Sequence, residues 1–245
     1  AYEFVDFLKS AGQKYWQVLP LGPTSYGDSP YQSFSAFAGN PYFIDLDRLA
    51  EQGLLTQNDM LKFDWGKNPS CISYDKIAEH RLQLLQTAYE NSNHLYRSDY
   101  MEFCKKQEHW LDDYALFMAC KDHFGQCEWL KWNPDIKERD ASALMNYRIL
   151  LKEKIQFWKF CQYQFYQQWN DVKTYANEKE IYIIGDIPIY LALDSADVWT
   201  HPDLFLLDNE KQPKVVAGVP PDAFSDTGQL WGNPLYRWDY HRNTG

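Results

Sequence analysis

Four short stretches of the chain set carboxylates and amides beside aromatic rings. They are Tyr26-Gly27-Asp28-Ser29-Pro30-Tyr31-Gln32, then Gly185-Asp186, then Pro220-Pro221-Asp222-Ala223-Phe224-Ser225, and last Gly228-Gln229-Leu230-Trp231-Gly232-Asn233-Pro234. Flat rings cover the apolar C–H faces of a pyranose, while Asp, Asn and Gln side chains pair with vicinal hydroxyls in a partly dry cleft. This mixture is compatible with a carbohydrate site. With 10 Trp, 18 Tyr and 14 Phe, rings make up 17% of the residues. That is more than the core of a charge-rich chain needs, so some of these rings are expected to face a ligand.

Other chemistries fail on their residues. Gly22-Pro23-Thr24-Ser25-Tyr26-Gly27-Asp28-Ser29 has the glycine spacing of a phosphate loop, but Asp28 stands where such a loop needs its lysine, and Pro23 removes an amide donor. No G-x-G-x-x-G occurs, and the six histidines show no H-x-H or H-E-x-x-H spacing, so neither a dinucleotide cofactor nor a metal is expected. The five cysteines are odd in number and form no C-x-x-C pair, which argues against a disulfide framework or zinc site and fits a reducing cytoplasm. Lys and Arg total 24 against 34 Asp and Glu, a formal charge of -10 with no basic patch, so nucleic acid is not an expected partner. Nor is a membrane, because apolar runs such as Ile181 to Ile184 fall far short of the ~18 residues of a span.

The elements that must position these stretches are partly readable. Phe4, Phe7, Leu8 and Ala11 recur at helical spacing, and Gly12 stands where a C-cap glycine belongs. Residues 15–21 and 181–189 read as buried strands, each feeding a polar loop. The first of these loops, 22–42, keeps five aromatic residues and so reads as structured. From about 76 to 178 the pattern is helical, with breaks near Asn91-Ser92-Asn93, Gly125 and Asn133-Pro134-Asp135. The stripes containing Trp110, Tyr114, Phe117, Trp158, Phe165 and Trp169 read as core. Residues 204–207 and 214–219 could pair as a hairpin around Asp208-Asn209-Glu210. Strands separated by helices suggest the front part of a βα barrel. With about a hundred residues of helix between two strands, such a barrel cannot close within this length. The chain starts at Ala1 inside an amphipathic pattern and stops at Gly245 without a closing element, and so reads as a piece of something longer.

Three motifs in order then carry a resemblance. Tyr15-Trp16-Gln17-Val18-Leu19-Pro20-Leu21-Gly22-Pro23-Thr24 running into Tyr26-Gly27-Asp28-Ser29-Pro30-Tyr31-Gln32-Ser33, then Gly185-Asp186-Ile187-Pro188-Ile189 with Asp194-Ser195-Ala196-Asp197-Val198-Trp199, and the segment from Pro220 to Tyr236 together resemble the amylomaltases. These are 4-α-glucanotransferases, or disproportionating enzymes, related to the α-amylase clan, and the likeness spans essentially the whole chain. It implies an α/β fold, a partial TIM (β/α)8 barrel with helical insertions between early strands. It also implies one truncated catalytic domain over 1–245, with a lid loop at about 219–234.

The activity implied is retaining transfer of an α-1,4-glucan segment from a donor maltodextrin to the 4-hydroxyl of an acceptor glucan or glucose. The partners would be maltodextrins or starch-derived α-1,4-glucans. One carboxylate attacks the anomeric carbon, a second group protonates the leaving oxygen, and an acceptor sugar replaces water in the second displacement. The family's acidic motifs, Arg-Ile-Asp-His and Glu-Asp-Leu-Gly, are absent from these 245 residues, so no residue here is assigned as nucleophile or general acid. The binding residues that the resemblance carries over are Tyr31 and Asp186 for the subsite of cleavage, Asp222, Gln229 and Trp231 for acceptor-side sugars, and Tyr26 and Ser29 for the outer glucan path. Asp186 also suits a helix N-cap or turn, and Trp231 a core ring. Two rivals are a non-catalytic glucan-binding module and a glucan hydrolase of the α-amylase clan. The hydrolase typically carries Asn-His four residues beyond its strand-end Asp, where this chain has Tyr190-Leu191-Ala192.

Overall fold

The computed structural model describes residues 1–24, 27–66, 68 and 70–244. The chain forms two compact units. The first comprises Ala1–Pro23, Gly39–Leu111 and Gln156–Asp186, the second Thr24–Ala38, Asp112–Ile155 and Ile187–Gly245. In chain order the helices and strands of the front part are α1 (Tyr2–Ser10), β1 (Tyr15–Gln17), α2 (Leu46–Glu51), α3 (Gln57–Leu61), α4 (Tyr74–Glu90), α5 (Ser98–Lys106) and α6 (Leu111–His123). They are followed by α7 (Pro134–Lys137), α8 (Ala141–Leu150), α9 (Lys152–Glu178), β2 (Tyr182–Ile184), α10 (Ala196–Thr200), β3 (Val216–Val219), β4 (Gln229–Pro234) and α11 (Trp238–Thr244). No described helix is long and apolar enough to cross a membrane.

In the first unit β1 and β2 pair in parallel, with Trp16 opposite Ile183. Both residues pack on a cluster of Val5 and Leu8 from α1, Ala176 from α9, and Ile181. Gly12 donates to the Lys9 carbonyl, and its φ of +70° turns the following Gln13 amide back onto the Leu8 carbonyl (2.9 Å), closing α1 as its position predicts. The strands expected over 15–21 and 181–189 are shorter, running over Tyr15–Gln17 and Tyr182–Ile184. The apolar stripe of α1 turns Val5 and Leu8 inward and leaves Phe4 and Phe7 exposed. The strands are not buried on both faces either, because Tyr15 (62% exposed) and Tyr182 (54%) lie on the face away from α1 and α9. A two-stranded parallel sheet covered by helices on one face keeps period-2 burial, so its apolar run reads as continuous although only alternate residues are sheltered.

Helix α9 carries two buried glutamines that bond to backbone as a neighbouring strand would. Gln162 accepts from the Gly39 amide (2.8 Å) and donates to the Gly39 carbonyl (2.9 Å). Gln168 accepts from the Asp45 amide (2.7 Å) and donates to the Asp45 carbonyl (3.2 Å). Gly39 has to be glycine, since a Cβ there would lie 2.0 Å from the Phe165 ring.

His94 sits 3% exposed in a ring cluster of the same unit, at 5.2, 4.7 and 5.0 Å from Tyr89, Tyr100 and Phe160. Ser92 spends its hydroxyl proton on the Tyr89 carbonyl (2.7 Å), so in the 2.5 Å contact between Ser92 Oγ and His94 Nδ1 the imidazole N–H donates. Nε2 is then an acceptor with no partner, and burial pushes the imidazole down to about 4 from its ordinary 6.5. The folded pKa lies below the unfolded one, so the stability linked to His94 is whole above pH 6.5 and is lost as pH falls toward 4. Over that window the loss should reach roughly 3 kcal/mol. Urea unfolding at pH 7, 5.5 and 4 should show this slope, and His94→Phe should flatten it. An unchanged slope in the variant would place the acid sensitivity elsewhere.

In the second unit α6 contributes Tyr114 and Phe117 to a core with Trp132 and Trp199, whose rings lie 5.4 and 6.0 Å from Phe117. Trp110, Trp158 and Phe165 are buried core residues of the first unit as expected, while Trp169 stays half-exposed. Arg139 lies 4.3 Å over the Trp199 ring and is bonded to Asp113 at 2.7 Å. The expected hairpin takes a different form. Asp208 Oδ1 accepts from the Glu210 and Gln212 amides (2.9 Å each), and across this turn Leu207 bridges Pro213 and the Lys214 amide donates to the Leu206 carbonyl (2.9 Å), so only the start of the expected pairing forms. The far side of residues 204–207 instead faces 235–237, with Leu206 donating to the Leu235 carbonyl and Arg237 to that of Leu204 (2.8 Å each). β3 finds its antiparallel partner in β4, with Val219 opposite Gln229 and a register shift between Val216 and Gly218.

Candidate functional site

The β3–β4 hairpin presents three of the sequence-predicted residues. Its connecting loop is shaped by Asp222, whose Oδ1 accepts from the amides of Phe224 and Ser225 (2.9 Å each). Ser225 Oγ then donates to the Gly228 carbonyl at 2.7 Å. Gly228 has φ +74°, and a Cβ there would meet the Val219 carbonyl oxygen at 2.5 Å, so the turn into β4 requires glycine. Asp222 is therefore a loop former whose carboxylate remains at the surface.

From that turn β4 runs through Gln229 and Trp231. The Trp231 ring nitrogen donates to Gln229 Oε1 at 3.0 Å, and its ring centroid lies 6.2 Å from that of Tyr190. Trp231 is 43% exposed and is not a core ring of this chain. A half-exposed indole braced on one side keeps an open face, and this is the geometry that stacking on a flat apolar ligand surface requires.

Tyr31 stands on the second unit's other polar loop, within residues 24–38, and is 45% exposed. Its amide donates to Ser29 Oγ at 3.3 Å, and the Gln32 amide donates to the Ser29 carbonyl at 3.1 Å, so Ser29 shapes the turn that holds Tyr31. The loop is anchored farther along by Asp197, which accepts from the Ala36 amide at 3.1 Å, and by the Ala196 amide bonded to the Phe34 carbonyl at 2.8 Å. Burial pushes the Asp197 carboxyl up from its ordinary range. Tyr26 lies outside the described residues. Asp186 is exposed at the end of β2 in the first unit.

The second unit thus brings the Tyr31 loop and the Trp231 strand together, through a bond from Gln32 to Asn233 (3.0 Å). Sequence reading missed Gln32, Asn233 and Tyr190 as parts of this arrangement. Gln32 and Asn233 lie inside the aromatic-rich motifs but 201 positions apart, and no local spacing marks them as partners. Among the described residues, no group of three His, Cys, Asp or Glu side chains could hold a metal ion. Among the described residues no disulfide joins any of the five cysteines.

Comparison with known proteins places these observations. The sequence model of one family, described as 4-alpha-glucanotransferase, matches residues 1–245. A curated 4-alpha-glucanotransferase of Clostridium butyricum is 55% identical over 245 residues, covering 100% of this chain and 50% of that protein. Another, of Thermus thermophilus, is 48% identical over 249 residues, covering 100% and 49%. The solved structure of an amylomaltase from Streptococcus agalactiae in complex with acarbose superposes with a TM-score of 0.93 at 47% identity, covering 99% of this chain and 50% of that one. An amylomaltase from Corynebacterium glutamicum, 16% identical, shares the fold with a TM-score of 0.70 over 96% of this chain and 33% of that one. The α/β fold is thus that of an amylomaltase structure, and the chain spans about half the length of the curated relatives it matches.

Proposed function

The chain belongs to the 4-alpha-glucanotransferase family, and from that premise we propose that it supplies the binding half of an enzyme that moves an α-1,4-glucan segment from a donor maltodextrin to the 4-hydroxyl of an acceptor. The observation that carries this reading is the half-exposed Trp231 ring on β4, tied through Asn233 to the loop of Tyr31. Two half-exposed rings, set among carboxylates and amides, suit consecutive glucose units better than a charged or wholly apolar ligand.

On this reading β1 and β2, neighbours in parallel, are early strands of a TIM-type barrel whose helical insertion runs from about 76 to 178, and 219–234 is its lid loop. Tyr31 stacks on the sugar at the point of cleavage, and Asp186 serves the same subsite. Trp231, Gln229 and Asp222 serve the acceptor side, while Tyr26 and Ser29 line the outer path. Maltodextrins or starch-derived glucans in the cytoplasm are the substrates. The chemistry needs a nucleophilic carboxylate and an acid that protonates the leaving oxygen. Neither acidic motif of the family occurs in these residues, so both groups come from outside them.

The 245-residue chain incubated with maltotriose should therefore release neither glucose nor longer maltodextrins above background, whereas the intact protein should release both. Disproportionation by the 245-residue chain itself would overturn the assignment of catalysis to residues outside it. An intact protein that leaves maltotriose untouched would overturn the transferase reading.

A further inference from the structure

Three segments around the Trp231 ring meet at one buried amide. Asn233 is 4% exposed. Its Oδ1 accepts from Gln32 Nε2 at 3.0 Å, and its Nδ2 donates to the Leu191 carbonyl at 3.0 Å, with longer contacts of 3.5 Å to the Tyr190 carbonyl and to Gln32 Oε1. Gln32 follows Tyr31, Asn233 stands two residues beyond Trp231, and Tyr190 is the ring that braces Trp231.

The chemistry of the node selects an amide. One side of residue 233 must accept from Gln32 and the other must donate to main-chain carbonyls, and a primary amide does both without charge. A carboxylate would set its second oxygen against the Leu191 and Tyr190 carbonyls and bury a charge. An alkyl side chain would leave buried partners unpaired.

We propose that Asn233 is a positioning residue for transfer to the acceptor. Paired with Gln32, it holds β4, and with it Gln229 and Trp231, at a fixed offset from the loop of Tyr31. Being buried, it acts on the sugar only through those neighbours. The proposal rests on the glucanotransferase reading and goes beyond it by naming what sets the spacing between the two ring-bearing segments.

The test uses the intact protein and the variants Asn233→Ala, Asn233→Asp, Gln32→Ala and Gln32→Ala/Asn233→Ala, with maltotriose as donor and glucose as varied acceptor. Displaced rather than deleted binding groups should raise the acceptor KM about ten-fold in Asn233→Ala and change kcat at saturating glucose by less than about two-fold. The double variant should be no worse than Asn233→Ala, because both changes open the same contact. Asn233→Asp should match or exceed Asn233→Ala although it is the closer isostere. A lowered melting temperature with the acceptor KM unchanged would overturn the proposal, and so would additive effects of the two single changes. Should Asn233→Ala fail to fold, Gln32→Ala, made at a half-buried side chain, carries the same comparison of KM with kcat. An intact parental protein without transfer would sink the transferase reading and this proposal together, while unaltered acceptor KM in an active protein sinks the proposal alone.

Discussion

Trp231→Ala should reduce transfer to acceptor sugars ten- to hundred-fold while the protein melts within a few degrees of its parent. A stacking face lost from a binding cleft raises the transition state by about 1.4–2.8 kcal/mol, which is that range of rates. Folding is spared because 43% of the residue faces solvent, with Tyr190 beside its ring and Gln229 accepting from the ring nitrogen. A fully buried tryptophan would cost ~3–5 kcal/mol on the same change. Trp231→Phe keeps a flat face and loses the bond to Gln229, so it should retain part of the transfer rate. The deciding measurements are the melt and the acceptor-concentration dependence of one preparation. A variant that transfers glucose to maltose at the parental rate would remove Trp231 from the site.

The second large effect is on stability. Lys121 is 3% exposed, with its ammonium 2.6 Å from Asp194 and bonded to the carbonyls of Gln126 (3.0 Å) and Cys127 (3.1 Å), under the Phe34 ring at 5.2 Å. The other oxygen of Asp194 accepts from the Trp129 amide at 3.1 Å. Lys121→Met fills most of the volume but leaves a largely desolvated carboxylate and two carbonyls without their cation, and it should destabilise by about 3 kcal/mol or more. For a chain of this size that is a fall of roughly 6–12 °C in Tm. Lys121→Met/Asp194→Asn should recover part of the loss, since the amide keeps the Trp129 acceptor and removes the unpaired charge. A single variant within 1 kcal/mol of the parent would mean that water, not Lys121, satisfies Asp194.

How much of this could be read beforehand follows from the range of each interaction. Gly12 closes α1 where its type and position say it should, because a helix C-cap is decided by a single turn. The rings Tyr114, Phe117 and Trp158 are buried, since helical periodicity carries its own direction. Periodicity does not say which residue of a stripe meets a neighbour, so Phe4 and Phe7 stay exposed while Val5 is buried. It also cannot tell a strand covered on both faces from one covered on a single face when every residue of the run is apolar or aromatic, as in Ile181-Tyr182-Ile183-Ile184. The hairpin expected around 208–210 was half legible. Its turn chemistry is local to Asp208, but the pairing of Val216–Val219 with β4, and not with 204–207, depends on residues well downstream. The polar anchors were the least legible, because Gln32 with Asn233 and Lys121 with Asp194 are joined by folding alone.

The two glutamines of α9 have a consequence for how the first unit breathes. The amides of Gly39 and Asp45 belong to loop backbone, yet each is closed by a side chain from the middle of a 27-residue helix. Their exchange with solvent deuterium is therefore gated by α9 and not by the loop's own flexibility. For either amide to open, a buried glutamine must leave a paired site with both its donor and its acceptor, so opening is coupled to disruption of the surrounding core. The Gly39 and Asp45 amides should thus open only with the helix behind them, and two positions of a loop should show the slow exchange of a regular element.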